Sequence, residues 1–305
     1  MILSIISKLS KDFKRNKYKY ILVIPVVVYF ILFHYKPMYG IVVAFQRFRI
    51  TAGIKNSPWV GFDNFKRFFN DPYFWRLLKN TLSISSLCLL FGFPAPIVLA
   101  LMLNEVKVSW FKRIVQTVSY MPHFISMVVI CSLITIFSSS DGLFNTLIVF
   151  FGGERSALLT RKEMFYPIYV ASHIWQGIGW GSIIYLAALA GIDVEQYEAA
   201  RVDGANRFQQ MIFITLPGLI PTASMLFILN IGSLLSVGYE KIMLLYSPKI
   251  YAVADVISTY VYRKGFVDSD YSFSTAVGLF NSVINIILLL IANKITKKLG
   301  QSGLF

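Results

Sequence analysis

Charge is scarce in this sequence. Of its 305 residues only 14% are charged and 56% are hydrophobic. A soluble globular chain carries about 25% charged residues. So little polar surface cannot coat a water-facing protein, and lipid must solvate much of the chain. Acids are the scarcer sign, with 15 Asp and Glu against 29 Lys and Arg, a net charge of +14. The cations gather in short segments beside apolar runs, where they set topology and meet anionic head groups. A nucleic-acid partner is not expected. Cysteine occurs twice, as Cys88 and Cys131, both within apolar runs; a disulfide framework needs paired, water-side cysteines. No Pro-, Gly- or Ser-rich linker and no low-complexity tract divides the chain, which reads as one membrane domain.

The signatures of catalysis are missing too. No G-x-x-x-x-G-K-[ST] loop exists to cradle ATP phosphates. There is no H-E-x-x-H, the three histidines (His34, His123, His173) are scattered, and no Cys/His cluster has zinc spacing. A G-x-S-x-G elbow is also lacking. The chain reads as a non-enzyme that binds no metal or cofactor itself. Charges inside apolar runs, which ion-coupled carriers keep for function, are almost absent; Asp193 and Glu240 fall just past two of the runs. The energy for any transport is then expected to come from another subunit.

What the sequence does have is six apolar runs, at 20–39, 81–103, 120–137, 166–190, 218–237 and 274–292. A helix needs about 20 apolar residues to cross the hydrocarbon core. The expected fold is an all-α integral membrane protein with six transmembrane helices: a basic tail over 1–19, a six-helix domain over 20–293 and a tail over 294–305. The basic start (Lys8, Lys11, Lys14, Arg15, Lys17, Lys19) looks like a signal peptide, but no small-residue cleavage site follows, so the first run reads as an uncleaved span. Six spans put both termini on one side. With the termini inside, the inner segments hold 14 Lys and Arg and the outer ones 15, so a plain tally leaves orientation open. The six cations ahead of the first span, against Lys36, Arg47 and Arg49 beyond it, favour an inside N-terminus.

Between the first two runs lies an aromatic segment, with Trp59, Phe62, Phe65, Phe68, Phe69, Tyr73 and Trp75 near helical spacing. Phe62, Phe65 and Phe69 follow i, i+3, i+7, which suits a helix lying in the membrane interface, ring side down. It reads as a structural collar or as part of a docking surface for an external partner.

The stretch at 191–217 is the most specific signal. The first half of the stretch Glu195 to Phe208 suits a short amphipathic helix, with Asp193 as its cap and Glu195 near its positive end. Asp203-Gly204 signals a turn, since glycine permits a left-handed backbone. A second helix then runs through Phe208, Met211 and Ile212 toward Pro217, where a span is expected to begin. Ala199 and Ala200 are small enough for a groove, and Glu198 offers a carboxylate to a partner arginine. The pattern E-A-A, three residues, G, nine residues, I-x-L-P occupies Glu198, Ala199, Ala200, Gly204, Ile214, Leu216 and Pro217, extended by Asp203 and Ala205. It resembles the coupling loop of permeases in binding-protein-dependent ABC importers. Trp59 to Phe65, Asn80-Thr81 and Met121-Pro122 look like elements of the maltose-type carbohydrate branch. Gly238-Tyr239-Glu240-Lys241 and Leu244 to Pro248 resemble its complex oligo- and polysaccharide subgroup, with Tyr239 and Ser247 where that subgroup often has Phe and Asn.

The resemblance implies a type I ABC importer permease fold with an outer interfacial helix and a cytoplasmic coupling helix. It implies a bacterial plasma membrane location with both termini cytoplasmic. Its implied partners are a second homologous permease, two cytoplasmic ATPases that hold the ATP and Mg, and an extracellular solute-binding protein that delivers a carbohydrate. Sugars present apolar CH faces and many hydroxyls, so aromatic and hydrogen-bonding side chains near the spans are candidates for their path: Trp175, Gln176, Trp180, Tyr185, Asn230, Ser233, Tyr239, Glu240 and Asn281. Gly177 and Gly181 suit close helix contact. A permease for phosphate, sulphate or amino acids shares the coupling loop and stays open as an alternative, as does a non-transporting membrane scaffold.

Overall fold

The computed structural model describes residues 15–301, 303 and 304; Lys8, Lys11 and Lys14 lie outside them. The described chain is almost wholly helical, and its one β-type pairing is an isolated bridge between Gln46 and Trp59. In chain order the main helices are α1 (Lys17–Phe45), α2 (Asp63–Phe69), α3 (Phe74–Glu105), α4 (Ser109–Tyr120), α5 (Met127–Ser138), α6 (Leu143–Phe150), α7 (Lys162–Ala190), α8 (Val194–Val202), α9 (Arg207–Gly232), α10 (Tyr239–Leu245), α11 (Ile257–Tyr262) and α12 (Tyr271–Lys298). Among the described residues α1, α3, α5 with α6, α9 and α12 are long and apolar enough to cross a bilayer, and α7 gives a sixth when it is counted together with α8, which leaves it at a 68° bend.

The span boundaries differ from hydropathy in instructive ways. The second span starts at Phe74, seven residues before the apolar run (81 − 74). Phe74, Leu77, Asn80, Thr81 and Ile84 are buried along one face; Lys79 rides on the exposed side and Arg76 flanks the buried face, 3.8 Å from Asp255, so neither breaks the helix. The third run is cut at its start. Pro122 sits in a tight turn after α4, and Ser126 caps α5 by accepting from Val129 N–H at 3.4 Å. The fifth span does not begin at Gly218. It is helical from Arg207, and a widened π-turn over Met211–Thr215 precedes Pro217. A proline lacks the N–H that would continue the ladder, and a widened turn ahead of it absorbs the mismatch.

Packing assigns the helix ends. Ala100 of α3, Tyr185 and Leu189 of α7 and Leu219 of α9 form one buried cluster. The 106–108 and 191–217 segments therefore lie at the same end of the bundle. At the other end Phe68, Phe74 and Leu77 pack with Ile257, Tyr260, Phe273 and Val277. Phe48 N–H donates to Ser272 Oγ at 2.8 Å, bringing the far end of α1 there too. α12, with 28 residues, then runs back about 42 Å, so Lys298 and Lys17 lie on the side of 191–217.

Close contact between α7 and α4 is made at Gly179, not Gly177. A Cβ at Gly179 would collide with the Ser119 carbonyl and one at Gly181 would meet Pro96 at 2.9 Å, whereas nothing approaches Gly177 within 4 Å.

The aromatic segment is docked rather than laid flat. α2 has seven residues and buries Asn64 and Phe68, the latter 1% exposed, so the buried face is not Phe62, Phe65 and Phe69. Asn64 Nδ2 donates to the Ala44 and Gln46 carbonyls at 2.9 and 3.0 Å. Trp59 stacks on Phe45 at 5.7 Å and Phe62 meets it edge-on. Trp59 to Phe65 is thus a clasp on the end of α1. Asn80 and Thr81 do the same for the segment before α11. Asn80 Nδ2 donates to the Ala252 and Asp255 carbonyls at 3.1 and 2.9 Å, and Thr81 Oγ1 accepts from Ile257 N–H at 3.0 Å.

Candidate functional site

At one end of the bundle α8 projects as an exposed stub. Asp193 Oδ1 accepts from Glu195 N–H at 3.0 Å, capping it. Gly204 closes it with φ +82°, and Ala205 N–H reaches back to the Ala200 carbonyl at 2.8 Å, the bond that ends a helix in a left-handed turn. Asn206 then starts α9 in a capping box. It accepts from Gln209 N–H at 2.9 Å, while Gln209 accepts from Asn206 N–H at 2.8 Å. Gln210 Nε2 donates to the Ala205 carbonyl at 2.8 Å. These bonds tie the end of α8 and the start of α9 to each other through the turn.

A hydrogen bond of 3.0 Å between the Tyr197 and Thr215 hydroxyls ties the stub to the base of α9. Sequence reasoning missed this brace, since the 18-residue separation becomes a contact only after the Gly204 turn. The outer face carries Glu198 and Ala199, both exposed, with Val202 at 88% exposure. Among the described residues Glu198 enters no ion pair. Ile214 is half-buried and Leu216 and Pro217 exposed at the base of α9. A stiff, braced knob with a free carboxylate can transmit a displacement to α7 and α9. Tyr197→Phe is expected to cost about 1 kcal/mol of that brace, opening 191–217 to protease about fivefold more often. Unchanged protease sensitivity of 191–217 would show the brace to be dispensable.

The second feature is a cavity of about 500 Å³ among α3, α7, α9 and α10, within the roughly 300–1,000 Å³ of small-ligand sites. Five of the nine sequence-predicted path residues line it: Gln176, Tyr185, Asn230, Ser233 and Glu240. Tyr185 also belongs to the cluster with Leu219, so one side chain spans the wall of the cavity and the packing above the stub. Trp175 instead faces a separate apolar groove with Leu133, Phe137 and Phe144. Trp180 stacks on His123 at 4.5 Å and Tyr239 on Tyr262 at 5.6 Å. Asn281 lies outside the lining; its neighbour one turn on, Asn285, does the positioning. Asn285 Oδ1 accepts from Leu235 N–H at 3.0 Å and Nδ2 donates to Ser236 Oγ at 2.9 Å, holding the turn after α9 against the cavity. The lining residues that sequence reasoning missed include Ser85, Tyr169, His173, Ser236 and Lys241.

Residues 92–301 match the family described as binding-protein-dependent transport system inner membrane component. Over 293 residues the chain is 49% identical to Protein LplB of Bacillus subtilis strain 168, covering 96% of this chain and 92% of the relative. It is 46% identical to the polygalacturonan/rhamnogalacturonan transport system permease protein YteP of the same organism, covering 95% and 91%. Among solved structures, a chain of the bacterial alginate ABC transporter in complex with an alginate pentasaccharide-bound periplasmic protein superposes with a TM-score of 0.89 and 43% identity, over 97% of this chain and 100% of the other.

Proposed function

The chain belongs to the family of binding-protein-dependent transport system inner membrane components, and from that premise we propose that it carries one wall of a saccharide passage, driven at 191–217 by a separate ATPase. It is a transport component rather than an enzyme. The cargo is an oligo- or polysaccharide fragment. The observation that carries this reading is near-full-length likeness to a polygalacturonan/rhamnogalacturonan transport system permease and to an alginate ABC transporter chain, together with a cavity lined by amide, hydroxyl and phenol groups.

In this reading the single domain over 20–293 crosses a bacterial plasma membrane with 1–19 and 294–305 in the cytoplasm. Glu198, Ala199, Ala200, Asp203, Gly204, Ala205, Ile214, Leu216 and Pro217 form the docking face for one of two cytoplasmic ATPases, which hold the ATP and Mg. Closure of the ATPases moves α8. The braced turn passes the motion to α7 and α9, and the cavity between them changes its access. A second permease supplies the opposite wall, and an extracellular solute-binding protein loads the passage. The first span supports the need for a partner, since none of its apolar window is buried against the rest of the chain.

The test is a ligand screen of the cognate solute-binding protein, followed by ATPase assays of the reconstituted transporter. Saccharide capture with ligand-stimulated ATP hydrolysis is expected. Tight capture of phosphate, sulphate or an amino acid in place of any saccharide would overturn the carbohydrate assignment.

A further inference from the structure

One wall of the cavity carries a charge that a neutral sugar does not call for. Lys241 is 4% exposed, lines the cavity, and its Nζ has no hydrogen-bond partner. Among the described residues no carboxylate pairs with it. Its Nζ stands 5.0 Å from the centre of the Tyr169 ring, which softens the isolation of a cation without neutralising it. The lysine cannot simply swing to water. Ile242 and Leu245 of the same short helix are sunk in the core with Ile130, Ile134 and Tyr169, and this fixes the direction of the stem.

The chain treats its other inward cations differently. Arg263 and Arg76 share the buried Asp255. A buried ammonium without an anion is costly and is kept where it has a task. Glu240 lines the same cavity but is exposed where Lys241 is buried; successive helix positions diverge by about 100°. His173 and Cys88 complete the titratable groups of the lining, with Tyr169 and Tyr185.

We propose that Lys241 Nζ is the counter-charge for a sugar carboxylate, so that this passage selects uronate-bearing oligosaccharides over neutral ones. This rests on the carbohydrate-import reading. The surrounding hydroxyl and amide groups of Ser85, Gln176, Asn230 and Ser236 engage sugar hydroxyls of either class. Only the ammonium distinguishes an acid from its uncharged ester.

The experiment uses the whole transporter, with both permeases, the ATPases and the binding protein, in proteoliposomes. The probes are trigalacturonate and trimannuronate, each as free acid and as methyl ester, with maltotriose as a neutral saccharide. The wild type is expected to import at least one free acid in preference to its ester. Lys241→Met is expected to lower uptake of the acid at least tenfold and to leave ester uptake within twofold. Lys241→Arg should restore most of the preference. Lys241→Gln accompanies them, and co-purification of the subunits reports assembly of each variant. A wild type that imports acid and ester equally overturns the proposal whatever the variants do. So does an equal loss of both probes in an assembled Lys241→Met, the result expected if Lys241 only pairs with the second permease. Import of maltotriose without either uronate overturns the charge selection and leaves the carbohydrate reading standing. Import of no saccharide at all removes both.

Discussion

Gly204→Val is expected to reduce ATP-driven uptake by tenfold or more, while Gly204→Asn retains most of it. The reason is conformational rather than steric. Gly204 has φ +82°, and a Cβ built there meets nothing within 4 Å. A left-handed backbone costs an ordinary L-residue roughly 1–2 kcal/mol, and more for a β-branched one, whereas asparagine tolerates it. A penalty of that size changes an equilibrium about 5- to 30-fold. Valine relieves its strain by shifting φ, and that shift breaks the Ala205 to Ala200 bond of 2.8 Å. Asn206 then no longer sits where its capping box can form, and the Tyr197–Thr215 brace loses its register. Alanine should fall between the two. Uptake is read in proteoliposomes, with basal ATPase activity and subunit co-purification as controls. Equal behaviour of the valine and asparagine variants would remove the argument from backbone conformation. Glu198→Lys is the companion test of the outer face: among the described residues the Glu198 side chain enters no ion pair, so on the proposed reading a loss of uptake with an intact turn falls on the contact with the ATPase.

The turn at Gly204 was legible in the sequence because Asp-Gly between two short amphipathic stretches admits few backbone solutions. The six spans were legible because hydrocarbon thickness sets a length that composition must meet. Their edges were not. Hydropathy stops at a charge, whereas α3 continues through Arg76 and Lys79 because only one face is buried. The cavity was half legible for a related reason. Tyr169, His173 and Gln176 recur along one face of α7, spaced 4 and 3 apart (173 − 169, 176 − 173). Trp175 is off that stripe, while Trp180 falls on it but stacks on His123 instead of lining the cavity. A helix that is apolar all round does not reveal which face its neighbours leave open. Lys241 was illegible because a lysine beyond an apolar run reads as a solvated charge. It is buried only because α10 folds back among α5 and α7. Asn80 and Thr81, which look like mere family markers, prove to hold the backbone of a segment over 170 residues away, Asn80 at the Asp255 carbonyl and Thr81 at Ile257 N–H.

That segment is the basis for the second large effect. Asp255→Ala is expected to destabilise the folded chain by about 3 kcal/mol, the lower part of the range for breaking a buried ion pair. Asp255 is fully buried and holds three side chains. Arg263 donates to both of its carboxylate oxygens, at 2.9 and 2.6 Å. Thr259 Oγ1 donates to Oδ1 at 2.8 Å, and Arg76 Nη2 lies 3.8 Å from Oδ2. Burial alone would lower the Arg263 pKa; the hydrogen bonds and charge of Asp255 outweigh it and raise the value above the ordinary one. Alanine would leave two guanidinium groups facing each other across a cavity. Because the two arginine side chains are 35% and 26% exposed, water relieves part of the penalty, which is why the lower part of the range applies. A loss of 3 kcal/mol corresponds to a drop in Tm of roughly 5 °C or more, readable by thermal unfolding of the detergent-solubilised protein. Asp255→Asn keeps the shape and the Thr259 contact but not the charge, and should be intermediate. The decisive comparison is the double variant Asp255→Leu with Arg263→Met, which removes charge and counter-charge together. Apolar replacement of a whole buried pair is often neutral, so the double variant should be more stable than Asp255→Ala, by an amount limited by the cation left on Arg76. If the single and double variants unfold at the same temperature, the stranded charge is not the source of the loss, and the clasp formed by Asn80 and Thr81 carries this end of the bundle instead.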